Sequence, residues 1–223
     1  GTIITYGRHF THMNTAKNTE QASKPAKKTR GRPLAFNQEQ ALKNALQVFW
    51  KYGYEGTSMT ELVEALGINK PSIYATFGNK EALFGQALEK YVAGPAAFVG
   101  EAMKEPRAKQ VAEKFLTGAV AFFTDQNHPP GCMIVQAALS CGQGSAQIQE
   151  TLIEYRKRLE ENFKLRFDLA KIQGDLPANT NSADLAKYLT TLHQGMSVQA
   201  SSGASKESLL ALVQIALKNW PSD

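Results

Sequence analysis

The sequence predicts an all-α protein with an N-terminal helix-turn-helix domain and a C-terminal helical domain. Apolar residues recur at intervals of three and four along most of the chain beyond residue 37, the spacing that buries one face of a helix. No stretch shows the alternation of a strand, and no internal repeat is present. We therefore expect an extended arm at 1–36, a helix-turn-helix domain at 37–93 and a helical domain at 94–223.

The helix-turn-helix prediction depends on local signals at helix ends. Ser58 and Glu61 form a capping box, in which each side chain accepts a hydrogen bond from the other residue's backbone N–H. Gly67 allows the left-handed backbone that ends this helix, and Asn69 caps the next one. Pro71 falls in the first turn of that helix, where its missing N–H costs nothing. Two helices joined by a three-residue turn form a unit whose second helix fits a DNA major groove.

The flanking helices follow from the same rules. The first is predicted at 38–52, capped by Asn37 and ended by Gly53, with Tyr52 on its apolar face. The fourth is predicted from Lys80 to Ala93. The sequence Gly94-Pro95 then breaks the helical pattern and marks the expected hinge between the domains.

Residues 37–91 resemble the DNA-binding domain of the TetR family of bacterial transcriptional repressors. The resemblance implies an all-helical repressor that dimerises through its last two helices and binds DNA as a two-fold dimer. It does not identify the ligand. The residues that carry the resemblance are Phe49, Gly53, Tyr54, Thr57, Thr60, Leu66, Gly67, Lys70, Ile73, Tyr74, Phe77, Lys80, Glu81 and Leu83.

Composition and charge narrow the possible functions. With 223 residues and 43% hydrophobic content, the chain can form one or two packed domains. No apolar run is long enough to span a bilayer and no secretory signal is visible, so we expect a cytoplasmic protein without a membrane partner. The net charge is +5, and the first 94 residues carry the whole excess, with 12 Lys and Arg against 7 Asp and Glu. Such an asymmetry favours phosphate binding by the N-terminal part.

The arm at 1–36 is expected to be disordered and basic. Its segment 24–33 contains five basic residues, and Arg30 and Arg32 are the side chains expected to enter a minor groove. The sequence Gly31-Arg32-Pro33 resembles the arm of many TetR family members. The dipeptide His12-Met13 is typical of a cloning junction, which indicates that residues 1–12 are vector-derived.

The second helix of the helix-turn-helix carries most of the predicted DNA contacts. Ile73 and Phe77 are expected to point inward. Ser72 can bond to a base edge or a phosphate, whereas Tyr74 and Lys80 are better phosphate ligands. Two such helices in a symmetric dimer require an inverted-repeat operator on double-stranded DNA. The full predicted set at 57–80 is Thr57, Thr60, Lys70, Pro71, Ser72, Tyr74, Ala75, Thr76 and Lys80.

The C-terminal domain is expected to bind a ligand and to dimerise. Helices are predicted at about 96–104, 107–125, 132–140, 145–170, 182–201 and 206–220. The last helix is apolar on nearly every side, so a partner chain is expected to cover it. The residues predicted at that homodimer interface are Leu189, Met196, Leu209, Leu212, Val213, Ala216 and Trp220.

Aromatic and apolar residues of this domain can line a cavity between helices. The predicted ligand contacts are Phe98, Phe122, Met133, Tyr155, Phe163 and His193. His193 either orients the ligand or is a hydrogen-bonded core histidine. We expect a repressor that a small, mostly apolar effector releases from DNA, with the fourth helix as the moving lever, pushed by residues near Phe98, Phe122 and Tyr155.

The cysteines supply the alternative hypothesis of a thiol-based electrophile or redox sensor. Cys132 follows Pro-Pro-Gly and can open a helix, whose dipole would lower the pKa of its thiol, and Cys141 lies nearby. Their spacing does not form a zinc site, and no metal or cofactor is expected. No catalytic triad, P-loop or dinucleotide motif is present, so an enzyme is not expected. A helical adaptor protein is the other rival, and salt-dependent DNA binding would distinguish it.

Overall fold

The computed structural model describes residues 37–139 and 145–221. Within those residues the chain forms helices and no strand, which confirms the all-α prediction. None of the helices described is long and apolar enough to cross a membrane. The helices are α1 Gln38–Gly56, α2 Met59–Leu66, α3 Lys70–Phe77, α4 Lys80–Ala93, α5 Phe98–Ala102, α6 Ala108–Phe123, α7 Met133–Leu139, α8 Ala146–Ile172, α9 Ser182–Ser201 and α10 Lys206–Lys218.

Helices α1 to α4 pack around a small aromatic core. α1 lies against α2 and α4, and α3 packs between α2 and α4. The Phe49 and Phe84 rings meet edge to face with centroids 5.0 Å apart, and both side chains are completely buried. Ile73 of α3 is buried in the same core. α3 is therefore held by one face while its other face is free.

The first helix differs from its predicted end. Its backbone leaves helical geometry at Gly53, where φ is 71°, and one further turn follows to Gly56. The predicted stop at Gly53 is therefore a kink within α1. Tyr52, predicted on the apolar face, is 42% exposed, and the ammonium of Lys51 lies 4.8 Å from its ring centroid. The placement of Tyr52 was wrong because the buried face of α1 continues from Phe49 through Trp50 and Gly53.

Helices α5 to α10 form a second packed unit around α6. α6 contacts α5, α8, α9 and α10, and α8 runs along α9. Phe115 of α6 and Phe163 of α8 are fully buried, with ring centroids 4.6 Å apart. α1 also packs on α7, so the two units share a continuous interior instead of meeting only at Gly94 and Pro95.

The last two helices bury most of the residues that were predicted to meet a partner chain. α10 packs one face on α6, and α9 packs on α8 and α6. A partner can therefore reach only Leu212 of the predicted set, which is 41% exposed. The apolar periodicity marked the face that packs within the protomer. The residues that the protomer itself buries are Leu189, Met196, Leu209, Val213, Ala216 and Trp220, and the exposed apolar residues of α9 and α10 are Tyr188, Val198, Leu212 and Ile215.

Candidate nucleic-acid interface and effector core

The turn between α2 and α3 has the hydrogen bonds predicted from sequence. The Ser58 N–H donates to Oε2 of Glu61 at 2.7 Å, and the Glu61 N–H donates to Oγ of Ser58 at 3.1 Å. Gly67 adopts the left-handed conformation with φ of 67°. Oδ1 of Asn69 accepts the Ser72 N–H at 2.9 Å and starts α3. These local bonds define where α2 begins and ends and where α3 begins.

α3 presents a continuous outward face. Ile73 and Phe77 are buried and anchor the helix, as predicted. Ser72 and Thr76 are half-buried at the edges of the free face. The exposed side chains are Lys70, Pro71, Tyr74 and Ala75. An eight-residue helix with one anchored and one free face can enter a major groove without disturbing its own core.

Lys80 is the first residue of α4, three positions after the end of α3. Its ammonium nitrogen is 4.4 Å from the centroid of the Tyr54 ring. Burial lowers the pKa of Lys80, against the opposing effect of the Glu55 and Glu61 carboxylates. Tyr54 contacts the ring of Phe84 at 5.2 Å, so the aromatic core fixes the ring under the ammonium. The Lys80 ammonium is thus held at the N-terminus of α4, against the end of α1.

Thr57 and Thr60 occupy different environments, although both were predicted to contact phosphates. Thr60 is exposed in the first turn of α2 and can meet a phosphate. Thr57 is buried, and its hydroxyl donates to the Gly53 carbonyl at 2.6 Å. The phosphate contact predicted for Thr57 is therefore contradicted, because its hydroxyl fastens the kink of α1 instead. Arg30 and Arg32 lie outside the described residues.

Aromatic side chains of four helices form a connected cluster in the second unit, which we call the effector core. Phe98 lies 5.5 Å from Phe122 and 6.1 Å from Phe115, measured between ring centroids. Phe115 in turn contacts Phe163 at 4.6 Å and His193 at 5.0 Å. Three of the six predicted ligand residues, Phe98, Phe163 and His193, thus meet around Phe115, and Phe122 joins them through Phe98.

The other two predicted ligand residues lie elsewhere. Met133 is buried in the first turn of α7. Tyr155 of α8 is half-buried, and burial together with the charge of Glu89 raises the pKa of its phenol. Glu89 belongs to α4, so Tyr155 faces the helix that was predicted to move.

His193 is the polar group of the effector core. Burial lowers the pKa of its imidazole to about 4, so the ring is neutral at physiological pH. It packs on Phe115 and, at 5.1 Å, on Phe123. Its Nδ1 is buried and has no hydrogen-bond partner among the described residues. The alternative of a fully hydrogen-bonded core histidine is therefore not favoured, since a buried polar nitrogen without a partner carries a desolvation cost.

Cys132 does not have the environment of a reactive thiol. Its side chain is buried, and its Sγ accepts a hydrogen bond from the Tyr91 hydroxyl at 3.3 Å. Burial raises the pKa of the thiol, and this effect outweighs the lowering caused by Tyr91 and by the backbone N–H groups at the start of α7. The predicted lowering of this pKa by a helix terminus was wrong, because desolvation dominates. Cys141 lies outside the described residues.

Comparisons with known proteins identify the family. A family model described as bacterial regulatory proteins, tetR family, matches residues 41–87. The HTH-type transcriptional repressor ComR of Escherichia coli (strain K12) is 34% identical over 197 residues, covering 87% of this chain and 94% of its own. The chain belongs to the TetR family. It is accordingly a transcriptional regulator and not an enzyme.

Solved structures of TetR family members agree with this assignment. CifR, a TetR family transcriptional regulator solved as a cysteine mutant with 26-bp double-strand operator DNA, is 38% identical. The match has a TM-score of 0.81 and covers 85% of this chain and all of the other. A putative TetR regulator from Rhodococcus sp. RHA1 is 42% identical, with a TM-score of 0.57, over 84% of this chain and all of the other. The resemblance inferred from the helix-turn-helix is thereby confirmed.

Two residues at the junction between the units escaped prediction. Trp50, in the last part of α1, stacks on His128 with centroids 4.4 Å apart. Phe122 contacts both rings, at 5.3 Å and 4.6 Å. One signal was available for Trp50: adjacent helical residues point about 100° apart, so beside Phe49 the Trp50 ring can reach past the four-helix core. His128 lies in an irregular loop, where sequence gives no periodicity to read.

A surface groove of about 530 Å3 lies next to this junction. It runs between residues 123–130 and the turn from α9 to α10, and its lining includes Asp125, His128 and Lys206. None of the six predicted ligand residues lines it. Phe123, which packs on His193, also lines the groove, so the groove adjoins the effector core.

Proposed function

We propose that this protein is a ligand-responsive repressor that binds an inverted-repeat operator as a homodimer and leaves it when a small, mostly apolar effector binds. The observation that carries the DNA-binding part is α3, whose Ile73 and Phe77 are buried while Lys70, Pro71, Tyr74 and Ala75 are free. Residues 37–93 form the proposed DNA-binding domain and residues 94–223 the ligand-binding and dimerisation domain. The arm at 1–36 adds Arg30 and Arg32.

Relatives support the repressor assignment. ComR and BdcR of Escherichia coli (strain K12) are both named HTH-type transcriptional repressors. CifR was solved with a 26-bp operator duplex. An operator-binding repressor works in the cytoplasm, where bacterial DNA lies, and this is the location that we propose.

Exposed apolar side chains on the last two helices support the homodimer. Tyr188 and Val198 of α9 and Leu212 and Ile215 of α10 leave between 38% and 59% of their surface in solvent. A second copy would cover them and place two α3 helices about a two-fold axis. Two equivalent reading helices require two half-sites in inverted orientation.

The effector core supports release by a small molecule. His193 offers one polar nitrogen within a wall of Phe115, Phe123 and Phe163. If these packed side chains move apart, they would surround an uncharged, mostly apolar molecule and offer it one hydrogen-bonding group. Such a ligand releases DNA only if it binds the non-operator conformation more tightly. The burial of Cys132 opposes the alternative of a thiol sensor at that position.

The test of DNA binding is selection from a random duplex library with the purified full-length chain. We expect an inverted repeat to be enriched and its affinity to fall steeply with salt. Enrichment of asymmetric sites only, or of none, would contradict the proposal. Salt-independent binding would favour the adaptor reading.

The test of the effector is a thermal-shift screen of small, mostly apolar metabolites. A ligand that prefers the native state raises the melting temperature. Hits should also weaken binding to the selected operator, and His193→Leu should blunt both effects. Leu139→Ala, which changes an exposed side chain on α7, serves as the matched control and should leave both unchanged.

A further inference from the structure

Three residues between α6 and α7, Pro130 to Cys132, form a segment that we call the bridge. On one side the bridge is bonded to α9. The Cys132 N–H donates to Oγ of Ser197 at 2.8 Å, and the Ser201 hydroxyl donates to the Pro130 carbonyl at 3.1 Å. The bridge thus follows any displacement of α9 at these two positions.

On its other side the bridge is bonded to two helices of the proposed DNA-binding domain. Nε1 of Trp50, in α1, donates to the Gly131 carbonyl at 3.2 Å. The hydroxyl of Tyr91, in α4, donates to Sγ of Cys132 at 3.3 Å. These partners come from separate helices, so they constrain both the position and the rotation of that domain.

Gly131 makes the contact with α9 too close for any side chain. Its φ is +81°, and a Cβ there would lie 2.5 Å from Oγ of Ser201 and 2.8 Å from the carbonyl oxygen of Ser197. The backbone of the bridge therefore lies on α9 with only the short Ser197 and Ser201 side chains between them. Small displacements of α9 are transmitted because these short, hydrogen-bonded side chains leave little room to absorb them.

Aromatic rings cover the bridge where Gly131 and Cys132 are buried, whereas Pro130 is exposed. His128 stacks on Trp50 and contacts Phe122, and its Nδ1 donates to the Pro129 carbonyl at 2.9 Å. Trp50 also meets Tyr91 edge to face, with centroids 5.0 Å apart. Hydrogen bonds in a dry environment are stronger and more directional than bonds in water.

From these contacts we infer that the bridge is the joint that holds the DNA-binding domain at a fixed orientation on α9. Because α9 contributes to the proposed dimer surface, this joint sets the separation of the two α3 helices in a dimer. The peptide connection at Gly94 and Pro95 alone would act as a hinge, since one connection leaves rotation free. The inference deepens the proposed function and depends on it.

The bridge also lies within reach of the effector core. Ser197 is one helical turn beyond His193 on the same face of α9, and both are buried. A ligand that displaces His193 would move Ser197 with it. The bridge then passes that displacement to Trp50 and Tyr91, so α1 and α4 move together. This differs from a lever formed by α4 alone.

The experiment measures how strictly the protein requires one half-site spacing. The probes are the operator selected from the random library and two derivatives with one or two base pairs inserted between the half-sites. Trp50→Phe keeps an aromatic ring but removes the N–H, and Ser197→Ala removes the acceptor on α9. Thr190→Val is the matched control, because the buried Thr190 hydroxyl bonds to the Ala186 and Lys187 carbonyls of its own helix and, among the described residues, to no other element.

Inserting base pairs should lower the operator affinity of the parent protein and of the control at least about tenfold. For each bridge variant this fold-loss should be smaller by a factor of at least about three. In a double-mutant cycle, Trp50→Phe and Ser197→Ala should be non-additive for the spacing penalty, because both act on one joint. Circular dichroism and melting curves establish that the variants are folded.

The possible failures are distinguishable. An unchanged spacing penalty in both folded variants would overturn the inference and leave the proposed DNA binding intact. Equal relaxation in Thr190→Val would also overturn it, because loss of any buried bond would then suffice. If no duplex is enriched from the library, the proposed function fails and the inference fails with it.

Discussion

The ammonium nitrogen of Lys80 lies 4.4 Å from the centroid of the Tyr54 ring, a cation–π contact between the first residue of α4 and the last turn of α1. Tyr54 is itself stacked on Phe49, with centroids 6.5 Å apart. The charge is thus tied to the core of the DNA-binding domain instead of moving freely on a long side chain. A charge in a fixed place lowers the entropy lost on binding a phosphate.

Lys80→Ala should weaken binding to the operator and to random duplexes alike. It should also reduce the slope of log affinity against log salt by roughly one counterion, since one phosphate contact is lost. Tyr54→Leu should weaken binding to both kinds of duplex while leaving the salt slope nearly unchanged. The charge of Lys80 remains in this variant, but the Tyr54 ring no longer positions it. Lys104→Ala, at an exposed residue paired with Glu101, is the control. A changed sequence preference for Lys80→Ala with an intact salt slope would contradict the assigned role.

Substitutions at Ser72 and Tyr74 should distinguish a side chain that reads base sequence from one that only holds α3 on the phosphate backbone. Ser72→Ala removes a hydroxyl at the edge of the free face of α3, and we expect it to change the preference at particular base pairs. Tyr74→Phe removes an exposed hydroxyl, and it should weaken binding to all sequences by a similar factor. Repeating the library selection with each variant measures both effects. A Tyr74→Phe selection with a new consensus would reverse the two roles.

Helix ends were the most predictable part of the fold. α4 begins at Lys80 and ends at Ala93, and α9 runs from Ser182 to Ser201, as predicted. Caps depend on bonds between residues two to four positions apart, such as that between Asn79 and the Ala82 N–H. A local pattern is sufficient information for a local bond.

The misplaced site residues share a different cause. Thr57 lies in the interior after the kink at Gly53, where its hydroxyl bonds to the Gly53 carbonyl. Apolar periodicity on α10 identified a buried face but not whether a neighbouring helix or a second chain buries it. The stacking of Trp50 on His128 joins two remote parts of the chain. Each outcome depends on tertiary packing that no short window of sequence contains.

An introduced negative charge should have different effects at neighbouring positions of α10. Leu212→Glu and Ile215→Glu alter exposed side chains, so the protomer should stay folded while the dimer dissociates. Val213 is buried within the protomer, and Val213→Glu should destabilise folding itself by about 4 kcal/mol. Analytical ultracentrifugation with melting curves distinguishes the two outcomes. Folded dimers of both Leu212→Glu and Ile215→Glu would place the interface on another surface.

The free energy of unfolding should fall in mild acid because of the buried His193 imidazole. The pKa of its imidazole is lowered from 6.5 to about 4 in the folded chain, so between these values the unfolded chain binds more protons. The stabilising contribution is therefore complete above pH 6.5 and is lost as the pH falls toward 4, by up to about 3 kcal/mol. Chemical unfolding of the parent and of His193→Gln across this range measures the difference. Parallel pH profiles for the two proteins would show that this imidazole does not titrate as described.

Cys132 should be slow to react and dispensable for the response to effector. Burial raises the pKa of its thiol, so thiolate-specific labelling of native Cys141→Ser, in which Cys132 is the remaining cysteine, should be slow at neutral pH and rise only above the ordinary range of a thiol. Denaturation should restore rapid labelling. Cys132→Ser keeps an acceptor for the Tyr91 hydroxyl and the backbone bond to Ser197, so it should preserve both operator binding and release by an apolar ligand. If only thiol-reactive compounds released DNA, and Cys132→Ser abolished that release while Cys141→Ser did not, the effector would be an electrophile. The effector core would then have a purely structural role.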